Sequence, residues 1–132
     1  MDYSLLISKA LQGRENAYAP YSNFKVGAAV LTEDGKIYTG CNIENASYGA
    51  TNCAERTAIF KAISDGYRTI AAIAIVGDDN KYIYPCGICR QVISEFASKD
   101  TKIILGKNEN EYIVKTLDEI LPGAFTKNDL LK

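Results

Sequence analysis

Leu5, Leu6, Ala10, Leu11 and Ala17 recur among Ser8 and Lys9 at amphipathic helical spacing, and Ala19-Pro20-Tyr21-Ser22 should end that helix. Phe24 to Leu31 then reads as a strand, Glu33-Asp34-Gly35-Lys36 as a tight turn and Ile37 to Asn42 as the hairpin partner. Ile43 to Asn52 is polar and small, as in a loop. From Cys53 through Ser64 the apolar positions Ala54, Ala58, Ile59, Ala62 and Ile63 return to helical spacing, and Asp65-Gly66 is the stop. Ile70 to Val76 is almost wholly apolar, which predicts a central strand buried on both faces. Pro85 precedes a helix over about Gly87 to Ala97, with Val92, Ile93, Phe96 and Ala97 inward. Lys102 to Leu105 and Tyr112 to Val114 read as strands, followed by a short helix near Leu117 to Leu121 and a tail. This order predicts an α/β domain, a mixed sheet covered by helices.

A chain of 132 residues suits a single domain spanning 1–132, with 47% hydrophobic and 23% charged residues. Fifteen Lys plus Arg stand against 16 Asp plus Glu, for a net charge of -1, without any basic cluster. That balance lacks the electrostatic footprint of a nucleic-acid binder and favours a small-molecule partner. The segment Met1 to Ile7 has neither the basic start nor the apolar core of a secretion signal, and no apolar run is long enough to span a bilayer. A cytoplasmic location is therefore expected, where close cysteines bind metal or do redox chemistry more often than they form structural disulfides. The chain has no histidine, so acid/base work near neutral pH falls to carboxylate, thiol or metal-activated water.

Two fragments carry the chemistry: Cys53-Ala54-Glu55 and Pro85-Cys86-Gly87-Ile88-Cys89. Three thiolates leave one corner of a zinc tetrahedron for water, whereas structural sites close with four protein ligands. Glu55, two residues after the first ligand, is free to move protons, and the combination is the signature of zinc deaminases. Both fragments fall at helix starts, whose partial positive charge favours thiolate. A structural zinc knot or a redox dithiol is the alternative, but Cys41, the one spare cysteine, lies in a strand pattern that suits a buried, inert thiol. Three thiolates on a divalent ion leave a net negative centre, and either Arg56 or Arg90 could offset it; Arg56, beside Glu55, is the choice, with an exposed helix cation as the alternative for each.

Six stretches in order then resemble one family: Tyr18-Ala19-Pro20-Tyr21-Ser22, Phe24 to Ala29, Gly40 to Tyr48, Asn52 to Ala58, Pro85 to Gln91 and Leu121 to Phe125. The chain resembles the short, homotetrameric cytidine deaminases over about Ala19 to Phe125. The resemblance implies a three-layer fold with a mixed five-stranded sheet covered by helices, and one zinc per chain held by Cys53, Cys86 and Cys89. It implies Glu55 as the proton shuttle in hydrolysis of cytidine and deoxycytidine to uridine and deoxyuridine, with water attacking C4 of the ring. Asn42 and Glu44 would meet the ribose hydroxyls, Phe24 would pack on the pyrimidine, and Ala54 and Cys86 would offer backbone groups to the base. Ala46 belongs to the implied substrate-binding set, and Tyr48 and Phe125 would reach into the pocket of a neighbouring subunit. Glu44 would repel a substrate phosphate. Ala50-Thr51 and Ile88 occupy variable positions, and the Asp78 to Tyr84 loop lacks the prolines expected there. A deaminase of another aminated nucleoside or nucleoside-like antibiotic would lose the Asn42-Ile43-Glu44-Asn45 segment, which is intact here. A noncatalytic zinc-stabilised interaction module is the reading from a different class, and it would need a filled fourth ligand position.

Overall fold

A computed structural model describes residues 2–131; Met1 and Lys132, the two ends of the expected single domain, lie outside them. Five strands form one mixed sheet in the order β2-β1-β3-β4-β5, with β1 at Gly27–Thr32, β2 at Ile37–Cys41, β3 at Ile70–Val76, β4 at Ala97–Asn108 and β5 at Glu111–Thr116. Only β3 and β4 run parallel, joined by a crossover through α3 (Gly87–Phe96), while the other neighbours are antiparallel. One helix, α1 (Ser4–Arg14), covers one face; α2 (Ala54–Ser64), α3 and the short α4 (Leu117–Ile120) cover the other. A last short helix, α5 (Lys127–Leu131), follows where a tail was expected.

The alternation along β3 explains the layers. Ile73 and Ile75 point with Ile103 and Leu105 toward Ala58, Ile59, Ala62 and Ile93 of α2 and α3. Ala72, Ala74 and Val76 point the other way, toward Leu6, Ile7 and Ala10 of α1. Each fully buried isoleucine contributes roughly 1.5–3 kcal/mol over its exposed state, so this strand is the energetic centre of the domain. The alanine face lets α1 come close: a Cβ at Gly27 would meet the Ala10 carbonyl oxygen at 2.0 Å.

β4 and β5 run past their expected ends, to Asn108 and Thr116, and three further boundaries differ for reasons visible in the hydrogen bonds. α1 stops at Arg14, and Asn16 and Ala17 instead make tight i to i−3 bonds to Gly13 and Arg14. β1 begins at Gly27, because Phe24 to Val26 give their N–H groups to side chains: Phe24 N–H donates to Ser22 Oγ, Lys25 N–H to Asp78, and Val26 N–H to Asn42 Oδ1. β4 begins at Ala97, five residues early, because the polar Ser98 to Thr101 stretch is held to the start of β3 by Thr101 Oγ1 donating to Ile70 O at 2.6 Å.

Candidate active site

Cys53 and Cys86 are the residues just before α2 and α3, both in extended backbone conformation, and Cys89 lies in the first turn of α3. The two helices aim their N-termini at one point. The three sulfurs lie within 4.8 Å of one another, and Cys53 Sγ and Cys86 Sγ are 3.8 Å apart. A tetrahedral zinc with Zn–S bonds of about 2.3 Å sets its sulfurs roughly 3.8 Å apart, so the donor set has the spacing as well as the softness for zinc. Cys89 is buried, Cys53 half-buried and Cys86 exposed, which leaves the group open on one side. Cys41 is apart from the cluster and half-buried rather than buried as expected; its partial burial pushes its thiol up.

Without metal, the Cys53 and Cys89 thiols are held apart in acidity. The Cys53 thiol falls to about 5 because Cys89 donates to it and Arg56 lies alongside, while Cys89, as the donor, is pushed up. Arg56 Nη2 donates to Cys53 Sγ at 3.4 Å, and its buried Nε has no partner. Arg90 turns elsewhere: Nε donates to Pro85 O and Nη1 to Ile120 O, at 2.7 and 2.6 Å. Of the two arginines, Arg56 is the one at the sulfurs. Glu55 is only 4% exposed, and burial, with the Cys53 charge adding to it, pushes its carboxyl up to about 7 in the metal-free protein.

Beside these groups lies a cavity of about 310 Å³. Cys53, Ala54, Glu55 and Cys86 line one end; Phe24, Asn42 and Glu44 line another part of the wall. That volume sits at the small end of the range for ligand pockets. Asn42 Nδ2 donates to Phe24 O at 2.8 Å while its Oδ1 accepts from Val26, which leaves one amide N–H free. The Glu44 carboxylate accepts from the Tyr21 and Ser22 N–H groups and from the Ser22 hydroxyl, and these bonds hold its pKa below the usual carboxylate range. It is therefore ionised at neutral pH, with lone pairs left for a hydroxyl donor.

Family membership follows from comparison with known proteins. The pattern described as "Cytidine and deoxycytidylate deaminase zinc-binding region" matches residues 1–106. The chain belongs to the cytidine and deoxycytidylate deaminase family. It is 55% identical over 130 residues to a cytidine deaminase of Halalkalibacterium halodurans, covering 98% of each chain. A cytidine deaminase of Sporosarcina psychrophila is 52% identical, over 98% of this chain and 96% of the other. The crystal structure of cytidine deaminase from Burkholderia pseudomallei superposes with a TM-score of 0.88 at 52% identity, covering 95% of this chain and 100% of that one. The thiol cluster built above lies within the matched zinc-binding region.

Three residues implied by the resemblance stay outside the cavity of their own chain. Ala46 is exposed on the loop after β2. Tyr48 is 75% exposed, packs edge-on against Tyr21 and borders a neighbouring depression of about 250 Å³. Phe125 is 61% exposed and sits between α3 and α5, its carbonyl accepting from Gln91. Conversely, Ser22, Ile83 and Tyr84 line the cavity without having been singled out. The Ser22–Glu44 contact joins residues 22 positions apart and had no spacing signal to announce it.

Proposed function

We propose that this chain hydrolyses cytidine and 2'-deoxycytidine to uridine and 2'-deoxyuridine with release of ammonia. The observation that carries this reading is a zinc-spaced thiol triad beside a buried carboxyl at one end of a nucleoside-sized cavity. Cys53, Cys86 and Cys89 hold one zinc, which when bound supplies the Lewis acidity that activates water. Glu55 takes a proton from the water that attacks C4 and places it on N3. It then moves the remaining hydroxyl proton to the amino nitrogen, which leaves as ammonia while C4 becomes a carbonyl. Burial suits Glu55 to that exchange, since its carboxyl holds and releases a proton near neutral pH. Arg56 offsets the negative charge of the thiolates by donating to Cys53.

Phe24 packs on the pyrimidine, and backbone groups of Ala54 and Cys86 meet the base. Asn42, through its free amide N–H, and Glu44, through its remaining lone pairs, meet the ribose hydroxyls. The ionised Glu44 disfavours a phosphate on the sugar, so the nucleoside is preferred to its nucleotide. A substrate panel tests this: ultraviolet absorbance with cytidine, deoxycytidine, cytosine, CMP and adenosine. Turnover of the first two well above the others is expected; equal or faster turnover of CMP or adenosine overturns the assignment.

The same reading makes the protein a single-domain, cytoplasmic homotetramer in pyrimidine salvage, free of nucleic acid and membrane. No helix among the described residues is long and apolar enough to cross a membrane. Tyr21, Tyr48, Tyr84, Ile88 and Phe125 are exposed, an apolar surface that supports sites shared between subunits. Ala46, Tyr48 and Phe125 would then act on a neighbour's cavity.

A further inference from the structure

The metal end and the ribose end of the cavity belong to separate elements, α2 on one side and the segment after β2 on the other. Their relative placement decides whether a nucleoside held by its sugar presents C4 to Glu55. Thr57 is not among the residues that line the cavity, yet its hydroxyl sits where these elements meet. Thr57 Oγ1 donates to Cys41 O at 3.0 Å, and Cys41 is the last residue of β2 and the neighbour of Asn42. The other carbonyl in reach, Cys53 O, is farther at 3.3 Å, and the hydroxyl has a single proton, so the shorter bond to Cys41 O is its main one.

Thr57 Oγ1 in turn accepts from Asn52 Nδ2 at 3.0 Å. Asn52 in turn exchanges both backbone hydrogen bonds with Ile43, at 2.9 Å each, and so brackets the Asn42 to Glu44 segment from its far side. From Cys41 the connection continues through Asn42, whose amide fixes Phe24 and Val26. One hydroxyl thus joins the helix of Cys53 and Glu55 to the residues placed on the ribose and the pyrimidine. Gly40 supplies the packing half of the junction: a Cβ there would lie 2.5 Å from Ala54 O and from Ala58 N.

We infer that Thr57, partnered by Asn52, is a positioning residue that sets the ribose-reading segment at its working distance from the metal end of the cavity. The inference rests on the ribose roles given above to Asn42 and Glu44. It makes Thr57 matter for substrates that carry ribose hydroxyls and matter little for one that lacks them.

The test compares kcat/KM for cytidine and for 2',3'-dideoxycytidine in zinc-loaded Thr57→Val, Thr57→Ser and Asn52→Ala proteins, with zinc content and Tm measured alongside. Thr57→Val keeps the shape and removes both side-chain hydrogen bonds. It should lower the cytidine-to-dideoxycytidine preference by roughly tenfold, the scale of one lost hydrogen bond with a small misplacement, through KM for cytidine. Thr57→Ser should restore the preference, Asn52→Ala should lower it, and zinc content should stay at the parental level in all three. An unchanged preference in Thr57→Val overturns the inference, as does an equal loss on both substrates, the mark of a merely structural role. If Thr57→Val fails to fold, Asn52→Ala decides in the same way. Asn42→Ala and Glu44→Gln are run in parallel: if they leave the preference intact, the ribose reading fails and takes this inference with it. If they lower it while Thr57→Val does not, the inference on Thr57 alone is wrong.

Discussion

Glu55 is a carboxyl that folding places in a poor environment for its charge, and that has a measurable consequence apart from catalysis. In the metal-free protein its pKa rises from 4.5 to about 7, with burial as the main cause. The folded state then binds the proton more tightly than the unfolded state, so stability falls as pH rises from about 4.5 to about 7. Glu55→Gln mimics the protonated form and should remove this loss, leaving the chelated variant more stable than the chelated parent by roughly 3 kcal/mol at pH 8 and by little at pH 4. Urea unfolding at the two pH values measures it, and equal stability at pH 8 contradicts the burial assignment. With zinc present, Glu55→Gln should hold its metal yet lose roughly two to four orders of magnitude or more in turnover. The two arginines separate by their acceptors. Arg56 bonds a ligand sulfur, so Arg56→Gln should weaken zinc retention by roughly tenfold to a hundredfold in a chelator competition. Arg90 donates to the carbonyls of Pro85 and Ile120 and lies over the Tyr84 ring, so Arg90→Gln should lower Tm more than zinc affinity.

Between elements, the decisive contact is the one between β2 and the first turn of α2. Gly40→Ala would drive a methyl into backbone at Ala54 and Ala58, an overpacking cost of roughly 1–3 kcal/mol. The gain from a stiffer unfolded chain is roughly 0.4–1 kcal/mol, too small to reverse the sign. Gly40→Ala should therefore lower both Tm and zinc retention, whereas Gly49→Ala, with open space around the site of its Cβ, should lower neither. The elements themselves were largely legible from periodicity: β3 and the helices after Cys53 and Cys86 lie where apolar spacing put them, because each buries a continuous face against the sheet. What periodicity could not show is where side chains replace backbone partners. Phe24 to Val26 have strand-forming residues but spend their hydrogen bonds on Ser22, Asp78 and Asn42, and the sheet opens there into the cavity wall. Ser98 to Thr101 are polar and carry no strand pattern, yet become strand because Thr101 satisfies the Ile70 carbonyl of the neighbouring β3. The site shows the same division. The metal ligands and Glu55 were readable because they cluster within two short motifs, while the Glu44–Ser22 and Thr57–Cys41 links join positions far apart in sequence and exist only once the chain is folded.

At the scale of the whole molecule, the cavity of one chain lacks three residues that the family resemblance assigns to the substrate, and the exposed positions of Tyr48 and Phe125 leave an aromatic surface uncovered. A single chain would also leave the cavity open to water, which weakens every electrostatic contribution at the reacting carbon. Sharing sites between subunits answers both problems, whereas Phe125 packing permanently on its own α5 answers neither. Mixed assembly separates these cases. On the proposed reading, a Glu55→Ala chain lacks the proton shuttle, and a Phe125→Ala chain keeps it but lacks the aromatic offered to a neighbour's cavity. Dissociated and reassembled together, they should form some cavities that combine an intact Glu55 from one chain with an intact Phe125 from another, and activity should rise above that of both parents. A Phe125→Ala parent that keeps full activity means that Phe125 serves no site at all. Where Phe125→Ala is impaired and native mass spectrometry confirms mixed oligomers, activity that stays at the parental level means that each chain completes its own site.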